Sequence, residues 1–134
     1  MTTPDTAGGR WTRERLARTY VWLVALHTLA VGCALFLVPD WALRFGGWQV
    51  IPSPFFPRQA GIFHFILGIA YLGEMTRHRD VSLMVMAKTF AVVFLLGAWF
   101  ADGVPWFVPL AGVGDGAMAA GALVARPWLR SARG

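Results

Sequence analysis

The chain has 134 residues, enough for one domain, and 57% of them are hydrophobic while only 14% are charged. Soluble domains contain about 25% charged residues on average, so this composition excludes an ordinary soluble protein and indicates an integral membrane protein. The formal net charge is +5, but the arginines alternate with long apolar runs in the pattern that sets membrane topology. We therefore expect no nucleic acid among its partners. Cys33 is the single cysteine, which excludes an internal disulfide or a multi-cysteine metal site.

Four apolar runs follow one another along the chain, and each is long enough to cross a bilayer as a helix of about 20 residues. They extend from about residue 20 to 38, 58 to 75, 81 to 100 and 105 to 125, and we number them spans 1 to 4. The sequence therefore predicts an all-α fold, an integral membrane four-helix bundle formed by residues 20–125. Residues 1–19 and 126–134 are predicted to be basic tails.

The arginines predict the orientation of this bundle. Nine of the 11 lie in the two tails or in the turn between spans 2 and 3. Cytoplasmic segments of membrane proteins are enriched in basic residues, so both termini are predicted to be cytoplasmic. Arginine outnumbers lysine 11 to one, as in proteins from GC-rich bacterial genomes. The predicted location is therefore the bacterial inner (cytoplasmic) membrane, with multiple passes.

The first outer connection, residues 39–57, is aromatic and rich in proline. Trp41, Phe45 and Trp48 recur at i, i+4 and i+7, so they share one face of a short helix. A glycine pair weakens this helix, and three prolines prevent its continuation. We predict an interfacial helix on the outer leaflet, with its aromatic side chains at headgroup depth. Two roles stay open for it: a membrane anchor, which we favour, or a lid over a ligand cavity between the helices.

Span 2 carries a stripe of small and polar residues that lie within roughly 100° of one another on a helix. They are Gly61, His64, Gly68, Tyr71 and Met75. This face is predicted to pack against the other helices. At the cytoplasmic end of the same span, Glu74 and Arg77 are predicted to form an ion pair.

Three ionisable residues lie in the inner half of the predicted membrane layer. Counted from the cytoplasmic ends at about 1.5 Å per residue, His27, Lys88 and Asp115 fall at similar depths. A lone charge in hydrocarbon is costly and an ion pair is better tolerated, so we predict that Lys88 and Asp115 contact each other directly or through one water. The pair either serves function, as a proton relay or a site that polarises a bound headgroup, or fixes the register of the helices. Both roles stay open.

His64 of span 2 lies nearer to the outer surface than His27, and this offset argues against one haem ligated by both. Ala60 and Gly68 leave room beside the His64 imidazole for a flat ring, which keeps binding of a haem or a pigment open as a minor alternative. We favour a hydrogen bond from His64 to a neighbouring helix. The cofactor is therefore unknown.

A proline ends span 1, the aromatic connection follows, and Phe56-Pro-Arg-Gln-Ala-Gly61 opens span 2. Together with the lone lysine of span 3 and the Gly-Asp pair of span 4, these motifs resemble the small DoxX-like four-span bacterial membrane proteins over residues 20–125. Some members of that group accompany membrane oxidoreductases that hand electrons to quinone. The resemblance implies an accessory redox subunit, and the matching positions are Arg58, Gln59, Lys88 and Asp115.

No zinc-site, Ser/His/Asp, Walker or dinucleotide pattern occurs in the sequence. We predict a non-catalytic integral membrane subunit or apolar-ligand-binding protein, surrounded by the bilayer and associated with other membrane subunits or with further copies of itself. The candidates for ligand binding or proton relay are His27, Gln59, His64, Lys88 and Asp115. The alternative is an intramembrane enzyme that acts on a quinone or lipid-like substrate through His27, Lys88 and Asp115.

Overall fold

A computed structural model describes residues 7–51 and 53–131, and these residues form five α-helices without a strand. The helices are α1 (Ala7–Leu37), α2 (Pro39–Phe45), α3 (Phe55–His78), α4 (Ser82–Asp102) and α5 (Phe107–Arg130). The predicted all-α class is confirmed for this part of the chain. The short α2 lies in the first connection, where the aromatic repeat predicts a helix.

Three of the described helices are long and apolar enough to cross a membrane: Trp11–Leu37 within α1, the whole of α4, and the whole of α5. At most 28% of the apolar window of each is buried inside the protein. Because most of their apolar surface faces outward, these helices fit a multi-pass membrane protein. The helix α3 has a similar length of 24 residues, but Arg58, Gln59, His64 and Glu74 make it more polar.

The helices pack as two pairs. The most extensive contacts are those of α1 with α3 and of α4 with α5. The pairs meet mainly through α1 and α5, whereas α3 and α4 touch little. The common core lies where the pairs meet, and its largest buried side chains include Val21, Tyr71, Met75 and Met84.

The predicted stripe on span 2 is the packing face of α3. Gly61, Gly68, Tyr71 and Met75 are buried, and His64 is half-buried. The glycines bring the helices close, because a Cβ added to Gly61 would lie 2.8 Å from the carbonyl oxygen of Gly32 on α1. The prediction that this face turns towards other helices is therefore confirmed.

The first and last helices are longer than the predicted spans: α1 begins earlier and α5 ends later. The helix α1 begins at Ala7, so residues 7–19 of the predicted basic tail are helical, and residues 1–6 lie outside the described part. No proline interrupts the chain between Ala7 and Leu37, and helix propagation costs little once the helix has formed. The helix α5 likewise continues to Arg130, with Pro127 inside it.

Prolines near the start of α5 do not loosen it. From the sequence, Pro109 is predicted to remove one helical hydrogen bond and so to loosen the outer end of span 4. The helix begins at Phe107, which places Pro109 in the first turn. Backbone N–H groups of a first turn have no partner within the helix, so proline costs no helical bond there. The prediction is wrong because it assumed that the helix begins at Pro105. The helix begins two residues later, at Phe107, so Pro109 still lies in its first turn.

The two ends of the bundle have different chemistry. At one end, Glu14 of α1 lies 3.3 Å from Arg79 after α3, and Asp80 lies 2.8 Å from Arg126 of α5. We call this the basic end. At the other end, Phe45 of α2 packs edge-on against Trp106 and Phe107, with centroid distances of 6.3 and 6.1 Å. We call this the aromatic end.

Candidate functional site

The centre of the bundle contains a direct ion pair between α4 and α5. Lys88 Nζ donates a hydrogen bond to Asp115 Oδ1 over 2.6 Å. Only 6% of Lys88 is exposed, and the side chain of Asp115 is 15% exposed. The predicted contact between these residues is confirmed. Such a pair is costly to break, because removal of one partner leaves the other charge buried without compensation.

Groups from the other two long helices lie around this pair. The phenol of Tyr71 on α3 is 2% exposed and lies within electrostatic range of Asp115. His27 on α1 lies within electrostatic range of Lys88, Asp115 and His64. Four helices therefore contribute one polar group each to the same region, in agreement with the similar depths predicted for His27, Lys88 and Asp115.

His27 nevertheless does not bind the pair. Its side chain belongs to the exposed face of α1, and within the described part of the chain it makes no hydrogen bond or ion pair. The reason is rotational: Val24, Ala25 and Thr28 face the core, which turns position 27 outward. His27 therefore faces the surroundings of the bundle, whereas the neighbouring Lys88–Asp115 pair is largely buried.

His64 bonds within its own helix. Its Nδ1 lies 2.8 Å from the carbonyl oxygen of Ala60, and because a carbonyl only accepts, Nδ1 is the donor. The predicted hydrogen bond to a neighbouring helix is wrong, since the acceptor belongs to α3 itself. The preceding turn of α3 supplies the acceptor instead.

The room predicted for a flat ring beside His64 is filled by α1. A Cβ added to Gly68 would lie 2.7 Å from the Leu29 side chain, and one added to Gly61 would meet the backbone of α1. The glycines thus serve helix packing rather than a haem or pigment. Among the described residues, no group of three or more histidine, cysteine, aspartate or glutamate side chains could hold a metal ion.

Gln59 lies far from the ion pair, at the aromatic end. It lines an open groove of about 350 Å³ together with Arg58 and the apolar side chains of Phe36, Phe55 and Ile62. Gln59 and Arg58 are both exposed. The five candidate ligand or relay residues therefore separate into a central group and this single outer position.

The aromatic residues of the first outer connection pack against one another and against α5. Trp41 stacks on Phe45 with a centroid distance of 5.6 Å. Both remain exposed. Trp48 follows the end of α2, is half-buried and lies over Gly46. Gly47 adopts a φ of 96° where the chain passes Trp106, a conformation that favours glycine.

A second polar cluster lies at the basic end, and the sequence analysis does not predict it. The Asp80 carboxylate accepts hydrogen bonds from Arg126, Arg130, Ser82 and the backbone N–H of Val81. Burial alone would raise the pKa of Asp80, but these hydrogen bonds outweigh it and hold the pKa well below the ordinary 3.8. We call this group the Asp80 cluster. The only feature of the sequence that indicates this cluster is the spacing of Arg126 and Arg130, which lie four residues apart after span 4 and so share one helix face.

Glu74 also has a different role from the predicted one. Its carboxylate accepts the backbone N–H of Leu83 at 2.9 and 3.1 Å. This hydrogen bond caps the first turn of α4, whose N–H groups have no partner within the helix. The predicted ion pair of Glu74 with Arg77 is therefore wrong, because the reversal of the chain at Arg79, with a φ of 49°, brings the start of α4 to Glu74.

No known protein family matches the chain, and comparison with characterised proteins and with solved structures finds no match. The resemblance to DoxX-like proteins thus stays a prediction. The function must be inferred from the helices and their polar groups.

Proposed function

We propose that this protein is a non-catalytic integral membrane subunit that binds an apolar ligand or other membrane subunits. One observation carries the proposal: most of the polar groups expected of a catalyst are engaged in bonds within the fold. Lys88 and Asp115 bind each other, Glu74 caps α4, and His64 bonds its own helix. Most of the large side chains that remain outward are apolar, as expected of a surface that meets lipid and partner helices.

The proposed arrangement has four membrane spans, because α3 is taken to cross the membrane in addition to α1, α4 and α5. The helix packs along α1, from the Glu14–Arg79 contact at the basic end to the Gly32–Gly61 contact near the other. If α1 crosses the hydrocarbon layer, an antiparallel partner of this length crosses it too. Its polar residues support this assignment, since His64 and Glu74 bond within the protein and Arg58 lies at an end.

The basic end is proposed to be cytoplasmic and the aromatic end external, in a bacterial inner membrane. The basic end gathers arginines from α1, the α3–α4 connection and α5, in line with the positive-inside rule. The aromatic end gathers Trp41, Phe45 and Trp106, which suit the headgroup layer. In this arrangement α2 is the interfacial helix.

Reporter fusions test this topology. A fusion after Arg79 and one at the C-terminus are expected to report a cytoplasmic location, whereas an insertion at Ser53 is expected to report an external one. An external signal from the C-terminus would contradict the proposed four-span topology.

Association with partners is proposed from the outer face of α4. Phe90, Phe94 and Phe100 are 69 to 79% exposed, and a Cβ added to Gly97 would meet no group outside its own turn of helix within 4 Å. The partners are lipid, other membrane subunits or further copies of the chain, and a redox complex is the case that the DoxX-like resemblance implies. Purification in a mild detergent is expected to retain a partner, an oligomer or lipid. A sharply monomeric protein free of partners and lipid would contradict the proposal.

One observation favours a second candidate, an intramembrane enzyme acting on a quinone or lipid-like substrate. His27 is exposed beside the Lys88–Asp115 pair, where a substrate entering from the lipid could reach it. For a non-catalytic subunit, His27→Ala is expected to leave both stability and the retained partners unchanged. Turnover of a co-purified lipid or quinone that stops in His27→Ala would favour the enzyme.

A further inference from the structure

The groove at the aromatic end combines an apolar wall with a row of hydrogen-bond donors. Phe36 of α1 and Phe55 and Ile62 of α3 form the wall. Arg58 and Gln59 also line the groove. The guanidinium of Arg58 and the amide of Gln59 are its hydrogen-bond donors. Ligand pockets have volumes of roughly 300–1,000 Å³, so this groove of about 350 Å³ suits a small headgroup with the start of an acyl chain.

The charge of the groove is uncompensated. Arg58 is exposed and forms no ion pair with any residue that the structure describes. The Ser53 hydroxyl accepts the N–H of Phe55 over 3.3 Å and keeps its own proton to donate. A guanidinium, an amide and a hydroxyl together match an anionic group rich in oxygen, and guanidinium binds phosphate with paired hydrogen bonds.

We propose that this groove is a binding site for an anionic phospholipid of the outer leaflet. The inference rests on the proposed four-span arrangement, which places the aromatic end in the outer headgroup layer. The lipid phosphate binds Arg58 and Gln59, and the upper part of one acyl chain lies against Phe36 and Ile62. The rest of the lipid stays in the bilayer, to which the groove is open.

Native mass spectrometry of the detergent-purified protein tests the site. Phosphatidylglycerol or phosphatidylcholine with identical acyl chains is titrated into the wild type, Arg58→Gln and Arg44→Gln. Arg44 is the matched control, because it is an exposed arginine of α2 that does not line the groove. Phe55→Ala tests the apolar wall.

The wild type is expected to prefer phosphatidylglycerol. Arg58→Gln should weaken that binding by roughly tenfold or more, as for loss of a hydrogen bond to a charged group, and should remove the preference. Arg44→Gln should bind as the wild type does, and Phe55→Ala should weaken both lipids. Melting temperatures should match across the arginine variants, because neither side chain forms an ion pair with a residue that the structure describes.

Four results would overturn the proposal. Equal losses in Arg58→Gln and Arg44→Gln would assign the effect to general surface charge. Displacement of the lipid by soluble glycerol phosphate would make the groove a site for a free phosphate. Dimers that disappear in Arg58→Gln would place a second copy in the groove. An absent lipid preference with unchanged topology reporters would reject this site and leave the proposed subunit role standing.

Discussion

The two helix pairs are held together by different interactions. The α1/α3 pair relies on glycine, with Gly61 of α3 against the backbone of Gly32 and Phe36. The α4/α5 pair contains the buried bond between Lys88 and Asp115. Apolar helices gain little from burial against each other in lipid, so association depends on close packing or on polar bonds. The α1/α3 pair relies on close packing, and the α4/α5 pair adds a polar bond. This difference favours a structural role for the Lys88–Asp115 ion pair.

Loss of Asp115 should have the largest effect. Asp115→Asn leaves the Lys88 ammonium buried without its partner, which costs about 3–5 kcal/mol in the free energy of unfolding. Lys88 can relieve part of this by moving its ammonium towards the basic end. Denaturant titration in detergent measures the change. Asp102→Asn is the control, because Asp102 is exposed at the end of α4, and it should change stability little. Equal effects of the two substitutions would contradict a special role for Asp115.

A methyl group at Gly61 should have the next largest effect. The Cβ of Gly61→Ala would lie 2.8 to 3.0 Å from Gly32 and Phe36 atoms, two of them backbone, so α1 and α3 must move apart. Overpacking of this kind costs about 1–3 kcal/mol. Gly97→Ala is the matched control on α4, because the added Cβ would meet no packed neighbour within 4 Å. A melting temperature of Gly61→Ala at or above that of Gly97→Ala would show that glycine does not hold the first pair.

The Asp80 cluster should have the smallest effect of the three. Its arginines are 32 and 50% exposed, and exposed ion pairs contribute little, so Asp80→Asn should cost about 1 kcal/mol and less at high salt. Because the pKa of Asp80 is lowered in the folded state, its stabilisation is complete above the ordinary 3.8 and declines as the pH falls below it. Asp80→Asn should lack this part of the acid sensitivity. Melting curves between pH 6 and about pH 3 measure it, and identical acid profiles would contradict the assignment.

Periodicity and the cost of buried charge were sufficient to predict much of the interior. The stripe from Gly61 to Met75 follows from helical spacing alone. The contact of Lys88 with Asp115 follows because neither charge is tolerable by itself in hydrocarbon. These predictions depend on properties that every membrane helix shares, and the structure confirms them.

The contacts at the helix ends could not be predicted in the same way. Asp80 follows Arg79 in the chain, yet its partners Arg126 and Arg130 come from the end of another helix. Their meeting depends on the relative rotation of α5 and on the turn at Arg79. The outward position of His27 depends similarly on the rotation of α1, which the spacing of its own residues leaves undetermined. Local sequence carries no information about such angles.

The double variant Lys88→Met/Asp115→Asn tests the central claim most directly, since that claim is that the buried pair holds α4 to α5. The measurement is the free energy of unfolding of the wild type, both single variants and the double variant, together with the partners and lipid retained on purification. The account predicts a double variant more stable than Asp115→Asn, with a coupling of about 0.5–3 kcal/mol, and unchanged partners. Single effects that simply add would show that the residues do not act as a pair. A stable double variant that loses its partners would show that the pair serves function.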